Sequence, residues 1–155
     1  NGSIYAWGYD NYNQVSDAPT GSGFIAIEGG LLYGYALDAN GSIYAWGRDQ
    51  LNQVSDAPTG SGFIAIAGGE LHGYALDANG AIHAWGYDNY NQVSDAPTGS
   101  GFMAIASGWS YGYALDANGV IYAWGQDNHN QVSDAPTGTG FTAIASGRSH
   151  GYAIK

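Results

Sequence analysis

A chain of 155 residues is long enough for one domain with a real core, and its 45% hydrophobic and 14% aromatic content excludes disorder. Three Lys plus Arg against thirteen Asp plus Glu give a formal net charge of −10, so a nucleic-acid backbone or an anionic membrane would be repelled. The absence of cysteine removes disulfides, thiolate metal sites and cysteine nucleophiles together.

The sequence repeats. Asn-Gly at residues 1 and 2 returns at 40, 79 and 118, and Gln-Val-Ser-Asp-Ala-Pro-Thr-Gly recurs identically from Gln14, Gln53, Gln92 and Gln131. Residues 1–155 therefore form a single array of four units, 1–39, 40–78, 79–117 and 118–155. The chain opens on Ser3 to Gly8, a strand ending in Trp-Gly. Asp38-Ala39-Asn40-Gly41 reads as a tight hairpin, with Asn-Gly supplying positive φ. Ser42 to Gly47 follows, carrying Ile43 and Ala45 on one face and Tyr44 and Trp46 on the other; a strand apolar on both faces needs a sheet packed on both sides. Gln53-Val54-Ser55 is a poorer candidate fourth strand. The Pro-Thr-Gly-Ser-Gly stretch at 58–62 breaks the ladder, and Phe63 to Ala67 and Gly73 to Leu76 supply two further strands. Each unit is a meander of three or four strands, and nothing has helical period.

Small sheets apolar on both faces bury themselves by stacking radially, which predicts an all-β fold, a β-propeller of four 39-residue blades. A linear β-solenoid is the competing arrangement, but its repeats are generally shorter and lack hairpin turns. The chain closes on Gly151 to Ile154, the strand that should precede Trp-Gly, so the last blade is split between the termini and each end leaves an edge open.

Gly-Tyr-Ala-Leu-Asp-Ala-Asn-Gly-x-Ile-Tyr-Ala-Trp-Gly, followed by Asp-Asn-x-Asn-Gln-Val, resembles the regulator-of-chromosome-condensation repeat over all four units. The short period is most similar to the bacterial forms, which include a propeller-shaped β-lactamase inhibitor protein. The resemblance implies a ring of about seven blades and a binding role. Where that family commonly has His-Ser before Ala-Leu, this chain has Tyr33-Gly34, His72-Gly73, Tyr111-Gly112 and His150-Gly151; where it has Gly before Gln, this chain has Asn13, Asn52, Asn91 and Asn130. A four-bladed ring demands about 90° per blade and eight blades about 45°, against roughly 51° for seven. A homodimer completing an eight-bladed ring is the expectation, and a four-bladed monomer the alternative.

Because the units are near copies, the positions where they differ are informative. One group follows the Trp-Gly strand: Tyr9 and Tyr12, Arg48 and Leu51, Tyr87 and Tyr90, Gln126 and His129. The other falls between the first two strands of a blade: Leu31 with Tyr33, Glu70 with His72, Trp109 with Tyr111, Arg148 with His150. A meander places both groups at one end and the invariant turns at the other. A face of Tyr, Trp, His and Arg on a constant scaffold has the composition of a recognition surface. Trp109 is expected to be exposed there, whereas Tyr33, His72, Tyr111 and His150 are expected to be packing residues.

The four histidines lie in different units without chelating spacing, so no metal is expected. The recurrent aspartates, Asp10 and Asp17 with their equivalents, read as turn and cap residues, since an active site needs acid and base in different environments. No cofactor motif is present and no enzyme is expected. The predicted function is non-catalytic protein recognition through the variable face; the alternatives are a carbohydrate-binding lectin, or a structural array constructed from a consensus blade with no ligand. No apolar run reaches the roughly 20 residues that span a bilayer, and the start at Asn1 has neither a basic leader nor Met, so a soluble chain, processed or a fragment, is expected. The compartment stays open, with a secreted or cell-surface location favoured.

Overall fold

The computed structural model describes residues 2–155; Asn1 of the first Asn-Gly pair lies outside them. Eleven strands follow in order: β1 (Phe24–Gly29), β2 (Tyr33–Asp38), β3 (Ile43–Gly47), β4 (Phe63–Gly68), β5 (His72–Asp77), β6 (Ile82–Gly86), β7 (Phe102–Ser107), β8 (Tyr111–Asp116), β9 (Ile121–Gly125), β10 (Ala143–Ser146) and β11 (Gly151–Ile154). They form three antiparallel three-stranded blades, β1-β2-β3, β4-β5-β6 and β7-β8-β9, and a two-stranded fourth, β10-β11. The first strands of successive blades pack on one another, and each middle strand packs on the next first strand. That arrangement puts the first strand of every blade innermost and the Trp-Gly strand outermost.

The middle strands are the core. Tyr35, Ala36, Leu37, Tyr74, Ala75 and Leu76 are fully buried, because each lies between two strands of its own blade in a sheet packed against the next blade. In every complete blade the Trp of the third strand stands opposite a glycine, Gly34 with Trp46, Gly73 with Trp85 and Gly112 with Trp124. A Cβ on Gly73 would lie 2.4 Å from the Trp85 ring, so the glycine is what lets the indole lie flat on the strand.

The turns are closed by local polar contacts. Asp38 Oδ1 accepts the amides of Asn40 at 2.9 Å and Ser42 at 2.8 Å, and Gly41 alone takes the left-handed conformation, at φ 79°. The expectation that Asn40 shares positive φ is corrected: among the described residues the only non-glycines there are Asn13, Asn52, Asn91 and Asn130. Their φ values, 58° to 61°, explain how asparagine stands where the resembling repeat has glycine.

Gln53-Val54-Ser55 is not a strand. Asp49 Oδ1 accepts the amides of Val54 at 2.8 Å and Ser55 at 2.9 Å, and Gln53 Oε1 accepts that of Leu51 at 2.9 Å, so the segment winds on itself and its amides are unavailable for a ladder. Each next blade is then tied to the previous hairpin, as Phe63 N donates to Gly41 O at 3.1 Å. Residues 3–8, which carry the third-strand sequence, belong to no sheet, and Trp7 is 84% exposed; the ends of one chain do not pair into a four-bladed ring in this structure.

Candidate binding face

Two sets of backbone hydrogen bonds bring the variable residues to one end. Around the inner edge, Leu31 N donates to Glu70 O at 3.3 Å, Glu70 N to Trp109 O at 3.0 Å and Trp109 N to Arg148 O at 3.3 Å, so the four tips lie side by side. Within each blade the loop after the third strand is fixed to the same turn: Arg48 N donates to Leu32 O, Tyr87 N to Leu71 O and Gln126 N to Ser110 O, all at 2.9 Å. The invariant Asp-Ala-Asn-Gly turns lie at the opposite end, against the starts of the next blades.

A cavity of about 540 Å³ opens where the two groups meet, lined by Glu70, Tyr87, Tyr90, Trp109, Gln126, His129 and Arg148 together with Leu71, Ser110 and Ser149. The Arg148 guanidinium lies 3.9 Å from the centre of the Trp109 ring, and Tyr87 and Tyr90 stand edge to face at 6.4 Å. Trp109 is half-buried, not exposed as expected, because its neighbour's arginine covers one face. Burial raises the Glu70 carboxyl above the ordinary carboxylate range, opposed by the charge of Arg148. This pocket presents a cation, a carboxylate and the rings of Tyr87 and Tyr90 together, the second of them exposed, a set suited to a ligand with both charged and flat apolar parts.

The remaining predicted residues lie elsewhere on the same end. Arg48 stacks over Tyr12 at 5.3 Å, Leu51 is exposed on its loop, and Tyr9 and Leu31 line a separate groove beside blade one with Trp7 and Trp46. Tyr33, His72 and Tyr111 are buried packing residues as expected; the Tyr33 hydroxyl donates to Gly69 O at 2.8 Å and His72 O at 2.6 Å in the next blade. His150, on the outer flank of the last sheet, is exposed instead. Burial holds the His72 imidazole down to about 4, with Ser107 Oγ 3.0 Å from its Nε2. Among the described residues no three His, Asp or Glu side chains come together to hold a metal ion.

Sequence reasoning missed a second cavity, about 320 Å³, on the open flank of the last sheet, lined among others by Tyr113, Gln131, His150, Gly151 and Tyr152. Gly151 is the fourth member of the column Gly34, Gly73 and Gly112.

The sequence pattern of the family described as the regulator of chromosome condensation (RCC1) repeat matches residues 63–92. No curated protein matches the chain. Among solved structures, the ectodomain of the Physcomitrella patens receptor kinase CR4 superimposes with a TM-score of 0.71 at 24% identity, over 88% of this chain and 37% of that one. Prp20p from Saccharomyces cerevisiae, whose structure was described with its binding to Gsp1p and histones, gives 0.70 at 19% identity, over 96% of this chain and 44% of its own. Human WBSCR16 gives 0.68 at 16%, over 84% and 44%. The chain thus spans about two-fifths of the length of these structures. With the repeated three-stranded blades, these matches show an all-β propeller fold, and the RCC1-type repeat is matched at residues 63–92.

Proposed function

We propose that this array of RCC1-type blades is a non-catalytic scaffold that binds a protein through the face carrying Trp109 and Arg148, and that two copies of the 155-residue chain complete an eight-bladed ring. The observation that carries the binding reading is the convergence of residues from both variable groups on one cavity, while the Trp-Gly and Gln-Val-Ser-Asp-Ala-Pro-Thr-Gly segments recur unchanged in every unit. Prp20p, a propeller of similar fold, is described as binding Gsp1p and histones, and a structure of Kap60 bound to it is known; both point to protein recognition as the use of such blades.

The test is capture from the source organism by the wild-type chain and by a chain carrying Trp109→Ala with Tyr87→Ala. A partner held by the first and released by the second, with circular dichroism unchanged, is the expected result. Equal capture by both would place recognition elsewhere, and a signal on a glycan array in place of a protein would favour the lectin reading.

A further inference from the structure

We infer that the cavity at Trp109 is a receptor for a glutamate or aspartate side chain of the partner, gripped by the Arg148 guanidinium, with the Tyr87 and Tyr90 rings as the wall for a flat group beside it. This rests on the protein-binding reading above and names the chemistry of the partner.

Both arginines of the chain lie on this face, but only one presents an open fork. Arg48 Nε donates to Gln50 Oε1 at 3.0 Å, and Arg48 Nη2 donates to the same oxygen, so that guanidinium is closed by its own loop. Arg148 is exposed and lies 3.9 Å from the centre of the Trp109 ring. Among the described residues the one side-chain ion pair joins His83 to Asp77, and no oxygen accepts a hydrogen bond from the Arg148 guanidinium. Stacking uses the face of a guanidinium and leaves its N–H edge for a ligand. An arginine already held flat on a ring loses little further freedom when a carboxylate closes on that edge with two parallel hydrogen bonds.

Glu70 does not fill this role. The backbone bonds set the tips in the order Glu70, Trp109, Arg148, so Trp109 stands between the acid and the base. Glu70 feels the charge of Arg148 without forming an ion pair with it, and burial lifts its carboxyl above the ordinary range. The cavity therefore has a direction, with a cation at one end that draws a carboxylate and a carboxyl at the other that turns a second one away.

The remaining walls favour the same ligand. Gln126, His129 and Ser149 each bring an N–H or O–H donor, and Glu70 is the one acid that lines the cavity. The chain as a whole carries a net charge of −10, so an acidic segment is repelled by most of the surface and met by a cation and donors here. Charge then decides where such a segment docks. The column of tips reads Leu31, Glu70, Trp109 and Arg148, so an arginine meets a tryptophan once in the array.

The test is heteronuclear NMR of the isotopically labelled 155-residue chain, following the Arg148 Nε–H and Trp109 indole signals as peptides are added. The acetylated and amidated peptides Gly-Tyr-Glu-Gly, Gly-Tyr-Gln-Gly and Gly-Tyr-Lys-Gly differ in one side chain. The glutamate peptide is expected to bind about tenfold more tightly than the glutamine peptide, as one charge-assisted pair would give. Arg148→Gln should erase that preference, and because Arg148 is exposed the rest of the spectrum should stay in place. Lys155→Gln, which removes the same charge from beside Phe141, should keep it. Equal binding of the glutamate and glutamine peptides, tighter binding of the lysine peptide, or a preference lost equally in Lys155→Gln overturns the receptor. So does a glutamine peptide with a free C-terminal carboxylate that binds more tightly than the glutamate peptide, since the site would then read chain ends. A partner lost on Trp109→Ala with Tyr87→Ala, without any glutamate preference, overturns the receptor and leaves the protein-binding reading standing. A glutamate preference in a face whose double variant captures proteins equally well keeps the receptor and overturns that reading.

Discussion

Trp85 and Trp109 sit in neighbouring blades yet do opposite work. Trp85 is buried in the blade body, its ring edge-on to Tyr35 at 5.1 Å and its nitrogen bonded to two oxygens of the preceding blade. Trp109 stands on a turn, bonded through its backbone to Glu70 and Arg148 and stacked under one arginine. The blade body is thus held by side chains that reach across the boundary, and the tips are held by main chain. A tip bonded through its backbone can change side chain from Leu31 to Glu70, Trp109 and Arg148 without disturbing the ladder, whereas in the body the Trp and its facing glycine are the same in every complete blade.

The largest effect should come from breaking the body. Trp85→Ala removes an aromatic core residue and leaves the Gln53 carbonyl with one partner fewer, and a loss of about 3–5 kcal/mol in chemical denaturation is expected. A milder probe is Gly73→Ala, whose methyl would lie 2.4 Å from Trp85 and 2.6 Å from Tyr35. Both rings are stacked and cannot yield cheaply, so about 1–3 kcal/mol should be lost. A loss below half a kcal/mol in either variant would mean that the boundary is looser than its geometry.

Blade two carries a variation inside the body, and it makes the comparison pH-dependent. His72 occupies the place of Tyr33 and Tyr111, is fully buried, and has its pKa held down to about 4 by burial, with the Asp88 charge opposing. An unfolded chain takes up that proton below about pH 6.5, the folded chain only near 4. Stability is therefore complete above about pH 6.5 and falls as pH drops toward 4, by about 2 kcal/mol at pH 5. His72→Tyr, which restores the residue of the flanking blades, should remove that slope between pH 7 and 5. The same slope in both proteins would assign it to other groups.

Much of the body was legible because its residues act locally or repeat exactly. The period of the Trp-Gly and Asn-Gly pairs set the blade, and Tyr33, His72 and Tyr111 read correctly as packing where His150 did not. Gln53-Val54-Ser55 misled because its apolar centre looks like a strand, while the residues that forbid one, Asp49 and the left-handed Asn52, act from several positions away. The tips were legible as a group but not in detail. That Trp109 would be covered by Arg148 depends on two residues of different units meeting at the inner edge, and no local pattern marks it. The cavity at Gly151 was missed for the same reason, since its walls include Tyr113 and Gln131 from distant positions.

The smallest effect on stability belongs to the tips. Trp109→Ala removes one cation–π contact at a partly solvated site, about 0.5–1 kcal/mol. It also frees Arg148 to move in the cavity, where that charge opposes the raised pKa of Glu70. The melting temperature should shift by only a few degrees. Arg148→Ala should cost no more, because it removes the same stacking contact from the other side, yet it would strip the cation from the face and so weaken any carboxylate-bearing partner. A cost for Trp109→Ala that approaches that of Trp85→Ala would show the tip to be part of the scaffold, and the separation between a constant body and a variable face would no longer describe this propeller.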